Sequence, residues 1–129
     1  MNPLFLGAKL PLSLSVGVPL ILALQTSEPN KGQWMVSLRD AQGTPLKELV
    51  IPANIKEGEQ SVNLGAWEPG IYTFAVYLDK NKNNKLDKGI LGQPLEPYAF
   101  SNNARSPFTQ PELSAQRFKH PGKQRILVK

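Results

Sequence analysis

Asp79, Asn81, Asn83 and Asp87 place oxygen-bearing side chains at positions 1, 3, 5 and 9 of the stretch DKNKNNKLDKGI. A calcium loop wraps a hard cation with this spacing, and the carbonyl at position 7, here Lys85, adds a main-chain oxygen. Position 12 is Ile90, so the bidentate glutamate of an EF-hand is missing. Asp79 and Asp87 bring two formal negative charges, whereas Lys80, Lys82, Lys85 and Lys88 crowd the same stretch with positive ones. The expectation is a weak calcium site, about 10⁻⁴–10⁻³ M, the range of extracellular modules. A second reading fits the same residues: a polar turn that holds its shape through side-chain-to-backbone hydrogen bonds. In either, Asn84 takes the tight-turn position, which asparagine tolerates better than most residues other than glycine.

Beyond the loop, Glu96, Tyr98, Ser101, Asn102 and Asn103 concentrate hydrogen-bonding groups in a stretch kept irregular by Pro94 and Pro97. One reading makes them a recognition surface for a polar ligand such as a glycan or peptide. The other has the asparagines satisfying the backbone of a long loop, with Glu96 reaching an amide or a basic residue. Chemistry by these groups is not expected. His120 is the sole histidine and is read as a surface residue, and no nucleophile elbow, phosphate loop or HExxH occurs. A hydrolase built on Glu96 is the remote alternative.

These two stretches resemble domain-of-unknown-function family 2141, small exported proteins of bacterial envelopes. The family pattern, D-x-N-x-N-G-K-L-D followed by G-x-P-x-E-x-Y-G-F-S-N-N-A, is met at Asp79, Asn81, Asn83, Lys85, Leu86 and Asp87. It is met again at Gly92, Pro94, Glu96, Tyr98, Phe100, Ser101, Asn102, Asn103 and Ala104. Lys31-Gly32-Gln33 and Pro69-Gly70-Ile71-Tyr72 extend the likeness to about residues 20–129. Asn84 and Ala99 replace family glycines, and Leu78 stands where histidine is common. The resemblance implies a periplasmic or extracellular location in bacteria and names no reaction.

At 129 residues the chain has the length of one domain with a real core. Its 12 prolines and 10 glycines suit short strands and turns, and the absence of cysteine rules out disulfides and thiolate chemistry. Residues 1–97 are balanced in charge, so the net +5 lies in Arg105, Arg117, Lys119, Lys123, Arg125 and Lys129, set against Glu112. This is either a solvated basic edge or a patch facing anionic polymers or lipid headgroups. No recognised nucleic-acid motif accompanies it.

Strand periodicity must position these groups. From Leu10 to Leu24 every even position is apolar, which reads as strand, with Pro11 and Pro19 marking an edge or a break. Residues 1–19 also read as a signal-like segment, although two prolines interrupt the run and no A-x-A site follows. The run is shorter than the roughly 20 residues of a membrane span. Trp34, Val36 and Leu38 form a second face, Leu49-Val50-Ile51 a short strand, and Val62 and Leu64 another. Tyr72, Phe74, Val76 and Leu78 make the clearest strand, apolar on its other side too at Ile71, Ala75 and Tyr77, hence central. Residues 125–129 close the fold. Tyr72, after Pro69-Gly70, is either a corner residue bonded to nearby backbone or a plain core tyrosine.

The expected architecture is an all-β, single-domain, two-layer sandwich, immunoglobulin-like or transthyretin-like, over residues 20–129 after an N-terminal apolar extension, residues 1–19. The expected role is a non-enzymatic exported binding or accessory module for an envelope polysaccharide, peptide or protein. The alternative is a structural subunit of an envelope assembly that docks through its N-terminal strand.

Overall fold

The structure is a computed structural model that describes residues 17–89, 94–107 and 109–129. The readings that concern residues 1–16, Ile90 and Gly92 lie outside the described residues. Among the described residues eight strands follow in order: β1 (Val18–Gln25), β2 (Gln33–Asp40), β3 (Pro45–Pro52), β4 (Glu59–Trp67), β5 (Gly70–Asp79), β6 (Tyr98–Phe100), β7 (Phe118–His120) and β8 (Gln124–Leu127). A 3-10 turn, Ser101–Asn103, and one helical turn, α1 (Leu113–Gln116), complete the described elements.

Alternation decides which side chains meet. Leu20, Leu22 and Leu24 of β1 point inward with Val62 and Leu64 of β4 and Ile126 of β8, all at most 2% exposed. Opposite them lie Trp34, Val36 and Leu38 of β2 and Phe74, Val76 and Leu78 of β5, at most 3% exposed. The first group belongs to a three-stranded sheet ordered β4-β1-β8, the second to a five-stranded sheet ordered β3-β2-β5-β6, with β7 also pairing β5. The molecule is therefore a two-layer β-sandwich, and its core lies between the layers. Trp34 Nε1 donates to Gln60 Oε1 at 2.7 Å, which ties β2 to β4 across the layers.

The exceptions to the alternation are local. β1 runs on through Pro19 without the expected break; the β1–β4 register shifts between Pro19 and Ile21, where two steps along β1 face three along β4. β3 is an edge strand, exposed over Pro45–Glu48, and longer than the three apolar residues that signalled it. β5 is central as expected, with β2 on one side and β6 then β7 on the other. Where the chain crosses between sheets after β4, Tyr72 Oη donates to the Glu68 carbonyl at 2.6 Å, the corner arrangement. β8 closes the fold by pairing in parallel with β1, from Leu22–Gln124 to Gln25–Leu127. No helix among the described residues is long and apolar enough to cross a membrane.

Candidate functional site

The loop of residues 79–87 is folded around its first residue. Asp79 ends β5 and is fully buried, yet both its oxygens are occupied. Oδ1 accepts the Asn83 N–H at 3.2 Å, and Oδ2 accepts the Asn84 N–H at 2.8 Å and Gln33 Nε2 at 2.9 Å. Gln33 also reaches Asn84 Oδ1 at 2.8 Å, so β2 grips the turn at two points. Asn84 lies at φ 63°, where a short amide side chain is tolerated. Gly32 lets the preceding turn close on the loop: a Cβ there would stand 2.4 Å from the Asp79 carbonyl oxygen.

The remaining polar side chains of the loop bond to one another and to its backbone near the surface. Asn81 Oδ1 accepts the Asn83 N–H at 3.2 Å, and Asn83 Oδ1 accepts the Lys85 N–H at 3.0 Å. The two amide nitrogens donate to Asp87, Asn81 to Oδ2 and Asn83 to Oδ1, each at 2.8 Å. Those bonds, Asn83 first and then Asn81, hold the Asp87 carboxyl below its usual range; Lys85 adds to the effect while partial burial opposes it. The all-oxygen donor set suits a hard cation in type. In charge it is thin, because Asp79 serves the backbone and Asp87 is the one acidic side chain facing the amides. Among the described residues no cluster of three or more His, Cys, Asp or Glu side chains occurs. Lys80 turns away from the loop to pair with Glu28 at 3.0 Å.

Glu96 clamps the loop's two ends. It is 6% exposed, and its oxygens accept the Lys80 N–H at 2.8 Å and the Asp87 N–H at 3.1 Å. Ser101 is fully buried; its Oγ accepts the Phe74 N–H at 3.1 Å and donates to the Gln116 carbonyl. Asn102 and Asn103 occupy left-handed backbone at φ 62° and 55°. The Asn102 amide donates to the carbonyls of Ala115 and Arg117, and Asn103 brackets β8 by donating to the Arg125 carbonyl and accepting the Leu127 N–H. These polar atoms are thus used within the fold. His120, read from the sequence as a surface residue, is instead 2% exposed, its Nε2 2.9 Å from the Val18 carbonyl oxygen and its ring edge-on to Tyr72. β7 carries it inward because Phe118 and His120 share the buried face.

Tyr98 points elsewhere, into a groove on the outer face of the five-stranded sheet. Strand register builds this groove from two rows of outward residues. Val50, Met35, Tyr77 and Tyr98 lie side by side, and next to them Glu48, Ser37, Ala75 and Phe100. The second row dips in the middle because Ser37 and Ala75 are small while their neighbours are large. Asn84 and Leu86 of the loop and Arg39 of β2 complete a cavity of about 360 Å³. Burial raises the Tyr77 hydroxyl pKa, and the charges of Asp79, Glu96, Asp87 and Glu48 raise it further, so Tyr77 stays a neutral donor. Arg105 stacks 4.2 Å from the Tyr98 ring centre and donates to the Tyr98 carbonyl, fixing that wall.

A family model described as uncharacterized protein conserved in bacteria (DUF2141) matches residues 24–127. The chain belongs to this family. No curated protein and no solved structure matches it. The span of the DUF2141 match takes in the loop, the 96–103 segment and every groove residue named above. Of the residues singled out in the sequence, Asp79, Asn81, Asn83, Lys85 and Asp87 come together in one loop, and Glu96 joins them. Ser101, Asn102 and Asn103 do not; they bind α1 and β8 instead. The groove was not foreseen. Its local signal was the second apolar side of β5 at Ala75 and Tyr77, which needed the register with β2 and β6 to acquire meaning.

Proposed function

We propose that this chain is a non-enzymatic binding module, exported to the periplasm or beyond, that takes its ligand in the groove of the five-stranded sheet. The observation that carries the reading is the groove's construction: a floor of small residues, an aromatic wall and a loop at its rim. Its volume of about 360 Å³ falls in the range of small-molecule sites. In this reading the 79–87 loop and Glu96 are the frame. Asp79 and Glu96 accept backbone N–H groups of the loop, which sets Asn84 and Leu86 at the groove's rim.

The same reading gives the loop a weak calcium site, held by Asp87, the amide oxygens of Asn81 and Asn83 and the Lys85 carbonyl, and serving to stiffen the frame. Thermal melts in EDTA and in calcium up to several millimolar, with magnesium as control, test this part. A calcium-specific rise in Tm that disappears in Asp87→Ala is expected. An equal rise with magnesium, or one that survives Asp87→Ala, removes calcium from the loop and leaves the groove. The groove is tested by calorimetry with soluble envelope fragments. Binding is expected to be lost in Ala75→Leu, which fills the floor; binding that is unchanged in that variant rejects the groove.

A further inference from the structure

The lining of the groove is divided by chemistry, and the division restricts what can fill it. One wall is aromatic: Tyr77, Tyr98 and Phe100, with Tyr98 and Phe100 edge-to-face at 6.1 Å. Across the Ser37–Ala75 floor stands a polar row. Arg39 Nε donates to Ser37 Oγ at 3.0 Å, and Ser37 Oγ donates to Glu48 Oε2 at 3.4 Å. One small hydroxyl thus holds a guanidinium and a carboxylate near each other. Among the described residues the two form no ion pair, and the terminal nitrogens of Arg39 have no hydrogen-bond partner. The hydroxyls of Tyr77 and Tyr98 make no hydrogen bond among the described residues either.

Three ligand classes are disfavoured by this lining. A purely apolar side chain would cover Arg39 and Glu48 without replacing the water on them, which is unfavourable for charged groups. An anion would bring its charge beside the Glu48 carboxylate that lines the groove. A cation would bring its charge beside the Arg39 guanidinium that lines the same groove. What remains is a neutral ligand with an apolar face and a polar edge that offers donors and acceptors together.

We infer that the groove binds a neutral saccharide, its C–H face against Tyr77, Tyr98 and Phe100 and its hydroxyls toward Glu48, Arg39 and Asn84. The inference rests on the groove being the ligand site. A sugar hydroxyl can donate to the Glu48 carboxylate and accept from Arg39, so each charged group keeps a partner and no net charge is needed. The cavity has room for a single ring or a disaccharide unit.

The test is calorimetry and competition with the intact chain. The probes are neutral gluco- and N-acetylglucosamine oligosaccharides of graded length, uronic-acid oligomers, and short apolar peptides. Binding of a neutral saccharide is expected, weakened about tenfold or more by Glu48→Gln and abolished by Ala75→Leu. Glu48 is exposed on an edge strand, so Glu48→Gln leaves the fold intact. A monosaccharide that binds as tightly as its oligomers identifies a free sugar, and affinity that climbs with length identifies a polymer; both support the inference. Uronic-acid oligomers or apolar peptides binding in place of neutral saccharides, with Ala75→Leu blocking them, would overturn the saccharide and keep the groove. Saccharide binding indifferent to both substitutions, or no probe bound by the wild type, would overturn the inference and the groove together.

Discussion

Asp79 and Asp87 occupy equivalent-looking places in the sequence but do different physical work. Asp79 is fully buried and accepts two backbone N–H groups and the Gln33 amide, so Asp79→Ala strands three donors at once. That substitution is expected to destabilise the chain by about 1–3 kcal/mol, read from urea unfolding, with Tyr98 amide signals shifting as the frame loosens. Asp87 faces the surface amides, and its folded pKa lies below the unfolded value near 4. Its contribution is therefore complete above about pH 4 and is lost as pH falls through the lower folded value. The Tm difference between wild type and Asp87→Asn should shrink as pH falls from roughly 5 to 2. A difference constant across that range would show that the amide bonds to Asp87 do not form. The oxygen spacing was legible in the sequence because the loop is local. The burial of Asp79 was not, because Gln33, which helps to cover it, is 46 residues away.

At the level of elements, strict alternation made β2, β4 and β5 readable, since each buries one face. β3 was only partly readable because an exposed edge strand carries little alternation. The parallel pairing of β8 with β1 left no local trace, as a strand's period does not name its partner. The 101–103 segment explains how β8 is held. Asn103 gives its side-chain amide to the Arg125 carbonyl and takes the Leu127 N–H, standing in for a neighbouring strand. Asn103→Ala should cost about 1–3 kcal/mol by loss of both bonds and by strain at positive φ. In Asn103→Gly the strain is absent, so part of the stability returns. In both variants the Leu127 amide should exchange with solvent faster. Unchanged exchange at Leu127 in both would mean that another group covers that edge.

Across the whole molecule the sandwich presents two unlike outer faces. The three-stranded sheet carries a second cavity of about 280 Å³ where Lys123 and Arg125 stand beside Pro19 and Ile21, so part of the basic excess of the last quarter gathers there. The five-stranded sheet carries the aromatic groove, framed by the loop. The DUF2141 match takes in the whole groove and, on the other face, Lys123 and Arg125 but not Pro19 or Ile21, and it assigns recognition to neither face. Groove and basic face are both products of pairing distant strands, which is why single positions in the sequence hinted at them without assembling them. The account places recognition in the groove. The most direct measurement is a two-dimensional ¹H–¹⁵N spectrum of the intact chain titrated with soluble envelope fragments. Shifts concentrated on Ser37, Ala75, Tyr77, Tyr98 and Phe100 are the result it predicts. Shifts concentrated on Ile21, Lys123 and Arg125, with the groove silent, would contradict it.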